Sequence, residues 1–283
     1  MNILITGSKG FIGRHLEKHL MNMHNLFLTA RDQGNPKYVY LDLLDNESVA
    51  EFIRFMSDKK IDVLIHTAGE LVNSNMTCEE QMSVFEHNIE ITKSIIKIVQ
   101  DLNIQKLINC SSIAVYPNED GIYSELSEVR MSGNSECLYG LAKFCSENMF
   151  EYFLRAKCYV INLRLAQIYG EGMRSDRIVS IMRDSLYKNN VVEVYGEGKR
   201  ISNFISIEKV CRIIAGLLEI EGVKGIYNVG EENITYLELA QKIVDEYGNS
   251  NTQIRLREEG IRSQFILDTN KIERLWRNHY GKN

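Results

Sequence analysis

Short apolar runs alternate with segments of helical spacing along the first 165 residues of the chain. The apolar runs predict strands at residues 2–6, 26–29, 38–41, 61–66, 106–110 and 159–164. Between them, apolar positions three or four residues apart predict helices, notably 48–56, 138–155 and a long helix whose stripe is Val84, Ile91, Ile95, Ile98 and Leu102. The strands are continuously apolar, so we expect a parallel sheet covered by helices on both faces. The predicted fold class is α/β, with a doubly wound parallel sheet.

The rhythm changes after residue 170. The pattern predicts a helix near 178–187, a strand at 191–195, a glycine turn at 196–198 and a last helix and strand alternation that ends near Trp276. No repeat or Pro-rich linker interrupts the chain, which has only two prolines. We therefore expect a smaller C-terminal lobe that packs tightly on the first part.

Composition narrows the class of protein. The chain has 283 residues, of which 44% are hydrophobic and 25% charged, an ordinary globular composition. Its net charge of -5 lacks the basic excess of a nucleic-acid binder. The apolar runs are too short for a transmembrane helix, and the chain enters its first strand without a signal-peptide pattern. These features predict a soluble cytoplasmic protein.

The cysteines are widely spaced and form no C-x-x-C pair. Zinc ligation or a disulfide framework requires clustered cysteines, so the spacing favours reduced, mostly buried thiols and predicts no metal site. The six are Cys78, Cys110, Cys137, Cys145, Cys158 and Cys211.

A glycine-rich turn links the first predicted strand to the first helix. Gly7 permits a tight turn, Gly10 allows backbone N–H groups to approach a pyrophosphate, and Gly13 allows the helix to pack on the strand. Phe11 and Ile12 begin that helix, whose N-terminus favours a negative charge. Because of its position between strand and helix, the G-x-x-G-x-x-G spacing predicts a dinucleotide site and a Rossmann-type fold.

The end of the second strand bears on which dinucleotide binds. An acidic residue there would hold a ribose 2′-OH and indicate NAD, but Ala30 occupies that place, followed by Arg31. A guanidinium suits a 2′-phosphate, and Lys9 would add a second positive charge. We therefore expect NADP(H), while NAD(H) remains open because Asp32 would supply the acid if the strand ran two residues further.

A tyrosine and a lysine lie four residues apart on one face of the 138–155 helix. Tyr139 and Lys143 form the pattern Y-x-x-x-K, and we expect the Lys143 ammonium to lower the pKa of the Tyr139 phenol. Ser112 follows a strand and places a hydroxyl at the edge of the sheet where such folds bind ligands. The three residues predict a site that moves a proton to or from an alcohol oxygen during hydride transfer.

These motifs together resemble the extended short-chain dehydrogenase/reductase family, in its NAD(P)-dependent sugar-nucleotide epimerase/dehydratase branch, from Asn2 to about Trp276. The resemblance implies cofactor contacts by the loop from Thr6 to Gly13, by the adenine-contacting pair Asp42 and Leu43, by the turn Thr67, Ala68 and Gly69, and by Asn88. It also implies Ser112, Tyr139 and Lys143 as the catalytic triad, and it extends over Arg164, Tyr169 and Gly170.

The chain departs from the family pattern at positions that bear on the reaction and the substrate. Ile113 and Ala114 replace the Asp-Glu pair of the dehydratases, which argues against a 4,6-dehydratase. Ser202 stands where the family has an arginine that grips the nucleotide diphosphate, so Arg200 and Arg262 become candidates for that contact. Gln167 replaces an asparagine and is a further candidate substrate contact.

The resemblance implies a division of the chain and an activity. Residues 1–165 would bind the dinucleotide, with a segment near 200–230 returning to that domain, and residues 166–283 would mainly bind substrate. The leading hypothesis is an NADP(H)-dependent ketoreductase acting on a nucleotide-linked sugar, nearest in type to the 4-ketoreductases. Tyr139 would donate the proton, Ser112 would bind the carbonyl, and Lys143 would hold the nicotinamide ribose.

Two alternatives stay open. If NAD is held tightly, the same residues would serve a nucleotide-sugar 4-epimerase. A protein that binds NADP(H) as a regulatory sensor without catalysis is a further alternative, although such relatives usually lose the tyrosine or the lysine. The resemblance also implies a homodimer formed through the helices near 80–102 and 138–155, and a role in making cell-surface polysaccharide precursors.

Overall fold

The computed structural model describes residues 1–72, 75–130, 133 and 136–281. Its strands are β1 Asn2–Thr6, β2 Asn25–Ala30, β3 Val39–Tyr40, β4 Val63–His66, β5 Lys106–Ser112, β6 Gly121–Tyr123, β7 Tyr159–Leu165, β8 Gln167–Tyr169, β9 Val191–Val194, β10 Ile201–Ser206, β11 Gly225–Val229, β12 Glu232–Thr235, β13 Gln253–Leu256 and β14 Phe265–Leu267. Its helices are α1 Phe11–Leu20, α2 Asn46–Met56, α3 Cys78–Asp101, α4 Cys137–Leu154, α5 Ile178–Asn189, α6 Ile207–Glu219, α7 Tyr236–Tyr247 and α8 Asn270–Tyr280.

A seven-stranded parallel sheet forms the centre of the molecule, in the order β11-β7-β5-β4-β1-β2-β3. Successive residues of β1 point to opposite faces: Ile3 and Ile5 enter the core that α1 and α6 cover, whereas Leu4 enters the core under α2 and α3. Both faces are therefore buried, and the predicted doubly wound α/β fold is confirmed.

Strand order reverses direction at β1. From β1 the chain builds outward through β2 and β3, and it then returns to build β4, β5, β7 and β11 on the other side. In such sheets the carboxyl ends of the two strands at the reversal, here β1 and β4, border a cleft that binds ligands. The glycine turn follows β1 directly, so the fold places it at this cleft.

The segments after residue 165 contribute to both parts of the molecule. Strands β8, β10 and β12 form a separate three-stranded sheet, and β9 pairs with β13 to form a two-stranded one. By contrast, β11 completes the central sheet beside β7, and α6 packs on α1. The division of function at residue 165 remains a proposal.

In the described part of the chain, no helix combines the length and the apolar character that a membrane crossing requires. The same residues contain no group of three or more His, Cys, Asp or Glu side chains arranged to hold a metal ion.

Candidate active site

The glycine turn after β1 is closely packed on the neighbouring turn after β4. Gly7 has a φ of +72°, and a Cβ on it would lie 2.7 Å from the backbone nitrogen of Ala68. A Cβ on Gly13 would lie 2.3 Å from the Gly7 carbonyl oxygen. Only glycine fits these two positions, so the turn can pack closely on the turn after β4 and on the start of α1.

Ser8, which the sequence motif leaves unspecified, anchors this turn. Its buried hydroxyl donates a hydrogen bond to the Ile5 carbonyl at 2.8 Å and accepts one from the backbone N–H of Thr29 at 3.1 Å. The turn is therefore tied to both β1 and β2. A small hydroxyl side chain inside a glycine loop was the available sequence signal for this contact.

A cavity of about 420 Å³ lies beside the glycine turn, where the adenosine half of a dinucleotide would bind. The predicted contact residues among its walls are Gly7, Lys9, Gly10, Arg31, Asp42, Leu43, Thr67, Ala68 and Gly69. The Asp42 carboxylate also accepts the Leu44 N–H at 3.0 Å, which fixes the loop after β3. A cavity beside a glycine turn at a helix N-terminus suits the binding of a dinucleotide.

The Lys9 ammonium group already forms an ion pair. Strand β2 ends at Ala30, one residue beyond the predicted strand 26–29 and short of Asp32. The turn that follows brings the Asp32 carboxylate to 3.2 Å from the Lys9 ammonium. This ion pair lowers the pKa of Asp32 and balances the charge of Lys9. The second positive charge expected from Lys9 is therefore paired with a carboxylate in this structure. Arg31 forms no ion pair with any carboxylate of the described residues.

A larger cavity of about 600 Å³ continues from the first. Gly10, Thr67 and Gly69 line both cavities, so the two form one groove across the glycine turn. The larger cavity is also lined by Phe11, Ile12, Ser112, Tyr139 and Lys143. The structure thus brings the three predicted catalytic residues to one cavity, next to the start of α1.

Ser112 and Tyr139 are brought together by a close backbone approach. Ser112 ends β5, and its hydroxyl caps the short 3-10 helix 113–115 by accepting the Ala114 N–H at 3.1 Å. Gly140 lies against that helix, because a Cβ there would be 2.0 Å from the Ala114 carbonyl oxygen. Gly140 is thus a positioning residue that the sequence motif did not identify.

Lys143 does not act on Tyr139 as predicted. The buried ammonium donates to the Cys110 carbonyl at 3.0 Å and lies 5.7 Å from the centroid of the Tyr139 ring. Burial lowers the pKa of Lys143 and raises the pKa of Tyr139, and the Glu136 carboxylate raises the latter further. The predicted lowering of the Tyr139 pKa is therefore wrong in this structure, and the phenol is protonated at neutral pH.

Asn88 supports the groove without lining either cavity. Its buried amide accepts the Glu70 N–H at 3.0 Å and donates to the Glu70 carbonyl at 3.0 Å. A Cβ on Gly69 would lie 3.1 Å from the Asn88 Oδ1 atom. Asn88 contacts the protein backbone in this structure, and it therefore holds the turn after β4 in place.

The candidate substrate residues separate into two groups. Gln167 and Ser202 line the larger cavity and pair with each other, the amide Nε2 donating to the serine Oγ at 2.8 Å. Arg200 lines the same cavity, with its guanidinium 4.9 Å from the centroid of the Tyr236 ring. Arg262 lies outside the cavity walls, and its guanidinium pairs with Glu197 at 3.2 Å.

A buried ion pair lies beneath the catalytic residues. The Arg164 Nε atom donates to both carboxylate oxygens of Glu147, at 3.1 and 3.2 Å, and its Nη2 atom donates to Oε2 at 2.7 Å. The Ser111 hydroxyl donates to Oε1 at 2.5 Å. Arg164 also donates to the Tyr116 hydroxyl at 2.8 Å. Glu147 follows Lys143 by one helical turn, a spacing that would have placed it on the same helix face.

The chain matches known proteins over most of its length. A model of the NAD-dependent epimerase/dehydratase family matches residues 3–230. A protein of Methanocaldococcus jannaschii, provisionally named UDP-glucose 4-epimerase, is 28% identical, and the match covers 96% of this chain and 92% of that protein.

Two solved structures share the fold. The UDP-N-acetylglucosamine 4-epimerase of Bacillus cereus superposes with a TM-score of 0.79 at 20% identity, over 97% of this chain and 89% of the other. MoeE5 in complex with UDP-glucuronic acid and NAD gives a TM-score of 0.77 at 22% identity, over 97% and 92%. The family match, the central sheet and the groove agree: the chain is an enzyme of the NAD-dependent epimerase/dehydratase family, within the extended short-chain dehydrogenase/reductase superfamily.

Proposed function

We propose that the protein reduces a keto group on a nucleotide-linked sugar, with NADP(H) as the cofactor. The observation that carries this proposal is the placement of Ser112, Tyr139 and Lys143 in one cavity that continues into the dinucleotide groove. The protonated Tyr139 phenol suits the donor of a proton, which a reductase requires at each turnover.

The groove fits a dinucleotide along its length. Backbone N–H groups at the start of α1 would hold the pyrophosphate, and Asp42, Leu43 and Ala68 would hold the adenosine. Arg31 supports NADP(H), since a guanidinium without a carboxylate partner suits a 2′-phosphate while Lys9 occupies Asp32. When bound, the cofactor supplies a hydride, and Lys143 would hold its ribose.

The chain's own residues account for the rest of the reaction. Ser112 would donate a hydrogen bond to the sugar carbonyl, and Tyr139 would give its proton to the oxygen as the alcohol forms. Arg200 is the candidate anchor of the diphosphate. The other two arginines of the cavity, Arg174 and Arg177, are ion-paired with Asp176 and Glu136, whereas Arg200 has no carboxylate partner among the described residues.

A nucleotide-sugar 4-epimerase is the second candidate. The nearly full-length similarity to the provisionally named UDP-glucose 4-epimerase of Methanocaldococcus jannaschii favours it. The same three residues would then take a proton from the substrate and later return it, while NAD stays bound. Family membership favours either enzyme over the regulatory alternative.

The remaining expectations are part of this proposal. Helices α3 and α4 pack closely on each other, and the exposed Tyr152 and Phe153 on α4 support a homodimer formed through these helices. Light scattering tests this, because a strict monomer at working concentration contradicts it. A cytoplasmic location and a role in cell-surface polysaccharide precursors remain expectations.

The test of the proposed function is oxidation of NADPH at 340 nm with a panel of nucleotide-linked keto sugars. We expect turnover by the parent protein and a loss of at least about 100-fold in Tyr139→Phe, the usual size for a lost general acid. Tyr187→Phe, at an exposed position of α5 outside both cavities and the proposed dimer interface, is the matched control. Interconversion of nucleotide sugars without NADPH oxidation would contradict the reductase and favour the epimerase.

A further inference from the structure

An ion pair joins the starts of two helices beside the reacting residues. Glu136 directly precedes α4 and lies three residues before Tyr139, and Arg177 directly precedes α5. The Arg177 Nη1 atom is 2.9 Å from the Glu136 Oε1 atom, and both side chains line the larger cavity. The pair thus connects the catalytic helix to the C-terminal part of the chain.

The segment that carries Arg177 is anchored at a second point. At 2.9 Å, the His15 Nε2 atom of α1 is within hydrogen-bond distance of the Glu171 carbonyl oxygen. Within the same segment, the Arg174 guanidinium pairs with the Asp176 carboxylate. Residues 171–177 therefore contact the helix of the glycine turn at one end and the catalytic helix at the other.

The charges of this region act on the Tyr139 phenol. Burial has the largest effect on the pKa of Tyr139 and raises it. The Glu136 carboxylate raises that pKa further, while the Arg177 and Arg174 guanidinium groups lower it. The other titratable groups facing the phenol are Cys110 on β5, which raises that pKa, and Lys143, whose ammonium is turned to the Cys110 carbonyl. The Glu136 and Arg177 charges therefore act on the phenol in opposite directions, and the effect of Glu136 is the larger.

We propose that Glu136 and Arg177 are a positioning pair that fixes the start of α5 against the catalytic helix and holds a balanced charge beside the proton donor. The inference rests on the proposed function only in taking Tyr139 as that donor. A substrate held by the C-terminal part of the chain then meets Tyr139 at a set distance, and neither charge of the pair acts on the phenol alone.

The test measures the ionisation of the Tyr139 phenol directly and needs no substrate. Stopped-flow jumps from pH 8 to a series of final values between pH 9 and 12.5 give the absorbance at 295 nm before unfolding. For each variant, the same variant carrying Tyr139→Phe is subtracted. The set is the parent, Glu136→Gln, Arg177→Gln, the double variant and the charge-exchanged Glu136→Arg/Arg177→Glu. Lys97→Gln, which breaks the exposed Lys97–Asp101 pair on α3, is the matched control.

The opposite charges of the pair predict the order in which Tyr139 ionises among the variants. Tyr139 should ionise at the lowest pH in Glu136→Gln and at the highest in Arg177→Gln, with the parent and the double variant between them. At one pH on the rising part, each single variant should differ from the parent by about twofold to fivefold in ionised fraction, the range of a half-exposed charge pair. The control should match the parent.

A structural role alone would not produce that order. Hydrogen exchange of the backbone amides in 174–180 tests the positioning role. We expect faster exchange in both single variants and a return to the parent exchange rate in the charge-exchanged variant. A common ionisation profile in all variants, or equal exchange in all, would overturn the inference. Either result is independent of whether keto sugars oxidise NADPH, so a failure here is distinguishable from a failure of the proposed function.

Discussion

The buried pair of Glu147 and Arg164 offers a sharp test of how the site is supported. Their side chains are 1% and 2% exposed, and the carboxylate accepts three guanidinium hydrogen bonds as well as that of Ser111. Glu147→Gln keeps the shape of the side chain and removes its charge. The Arg164 guanidinium is then left buried beside a neutral amide, and the residue before Ser112 loses its ionic acceptor.

The expected loss is large for one substitution. Removing one partner of a buried ion pair costs about 3–5 kcal/mol, a substantial share of the ~5–15 kcal/mol by which a domain is stable. For a chain of this size, that corresponds to a lower Tm by roughly 6–10 °C. Urea unfolding followed by circular dichroism measures the free energy, and scanning calorimetry measures the Tm.

Two further variants make the result interpretable. Glu151→Gln changes an exposed carboxylate one turn later on α4 and should shift stability by less than about 0.5 kcal/mol. Replacing both partners, as in Glu147→Leu/Arg164→Met, should recover much of the loss, because no buried charge remains. A loss below about 1 kcal/mol in Glu147→Gln would refute the reasoning, since it would mean that Arg164 does not depend on this carboxylate.

Three more predictions follow from single contacts. Gly140→Ala should lower the free energy of unfolding in urea by about 1–3 kcal/mol, because its Cβ would meet the Ala114 carbonyl. Gly34→Ala should cost little, since its Cβ would make only an ordinary contact with Asp32, at 3.8 Å. Burial lowers the pKa of His66 to about 3, so the unfolded state binds the extra proton below pH 6.5. Stability should therefore fall between pH 6.5 and 3 by up to ~1.4 kcal/mol per unit from this group, and His66→Gln should flatten that slope; an unchanged slope contradicts it. Arg200→Met should weaken the binding of a nucleoside diphosphate about tenfold, measured by calorimetry. Arg262→Met, which lies outside the cavity, should not weaken it, and equal effects of the two substitutions would refute the assignment.

Local sequence patterns were sufficient for the fold and for the glycine turn. Apolar periodicity depends on neighbours within one element, and the buried faces of β1 follow it residue by residue. The turn after β1 is local in two respects, because Gly7 has a φ of +72° and Gly13 packs on the Gly7 carbonyl oxygen, whereas the contact of Gly7 with Ala68 joins distant parts of the chain. These parts of the molecule were therefore predictable.

Contacts between distant residues were not predictable from spacing. The four-residue interval between Tyr139 and Lys143 places both on one helix face, but it cannot indicate that the ammonium turns to the Cys110 carbonyl instead. Likewise, Lys9 and Asp32 meet only because the turn after β2 folds back toward the glycine turn. Charge balance in the site therefore depends on tertiary contacts that no local pattern encodes.

The pairing of Gln167 with Ser202 has the same origin. The two residues are 35 positions apart and meet because β8 and β10 are parallel neighbours in the smaller sheet. The sequence identified Ser202 as a departure from the family pattern, and the structure adds that the amide of Gln167 is its partner. Substrate recognition in this part of the chain is thus a property of the smaller sheet as a whole.

The most direct test of the account is the binding of NADPH and NADH to the purified protein, together with identification of any cofactor that survives purification. Arg31, without a carboxylate partner, predicts a site that is free of tightly held NAD and prefers NADPH by at least about tenfold. That preference should fall in Arg31→Ala. Retained NAD, or equal affinity for the two cofactors, would contradict the NADP(H)-dependent reductase and make the 4-epimerase the better account.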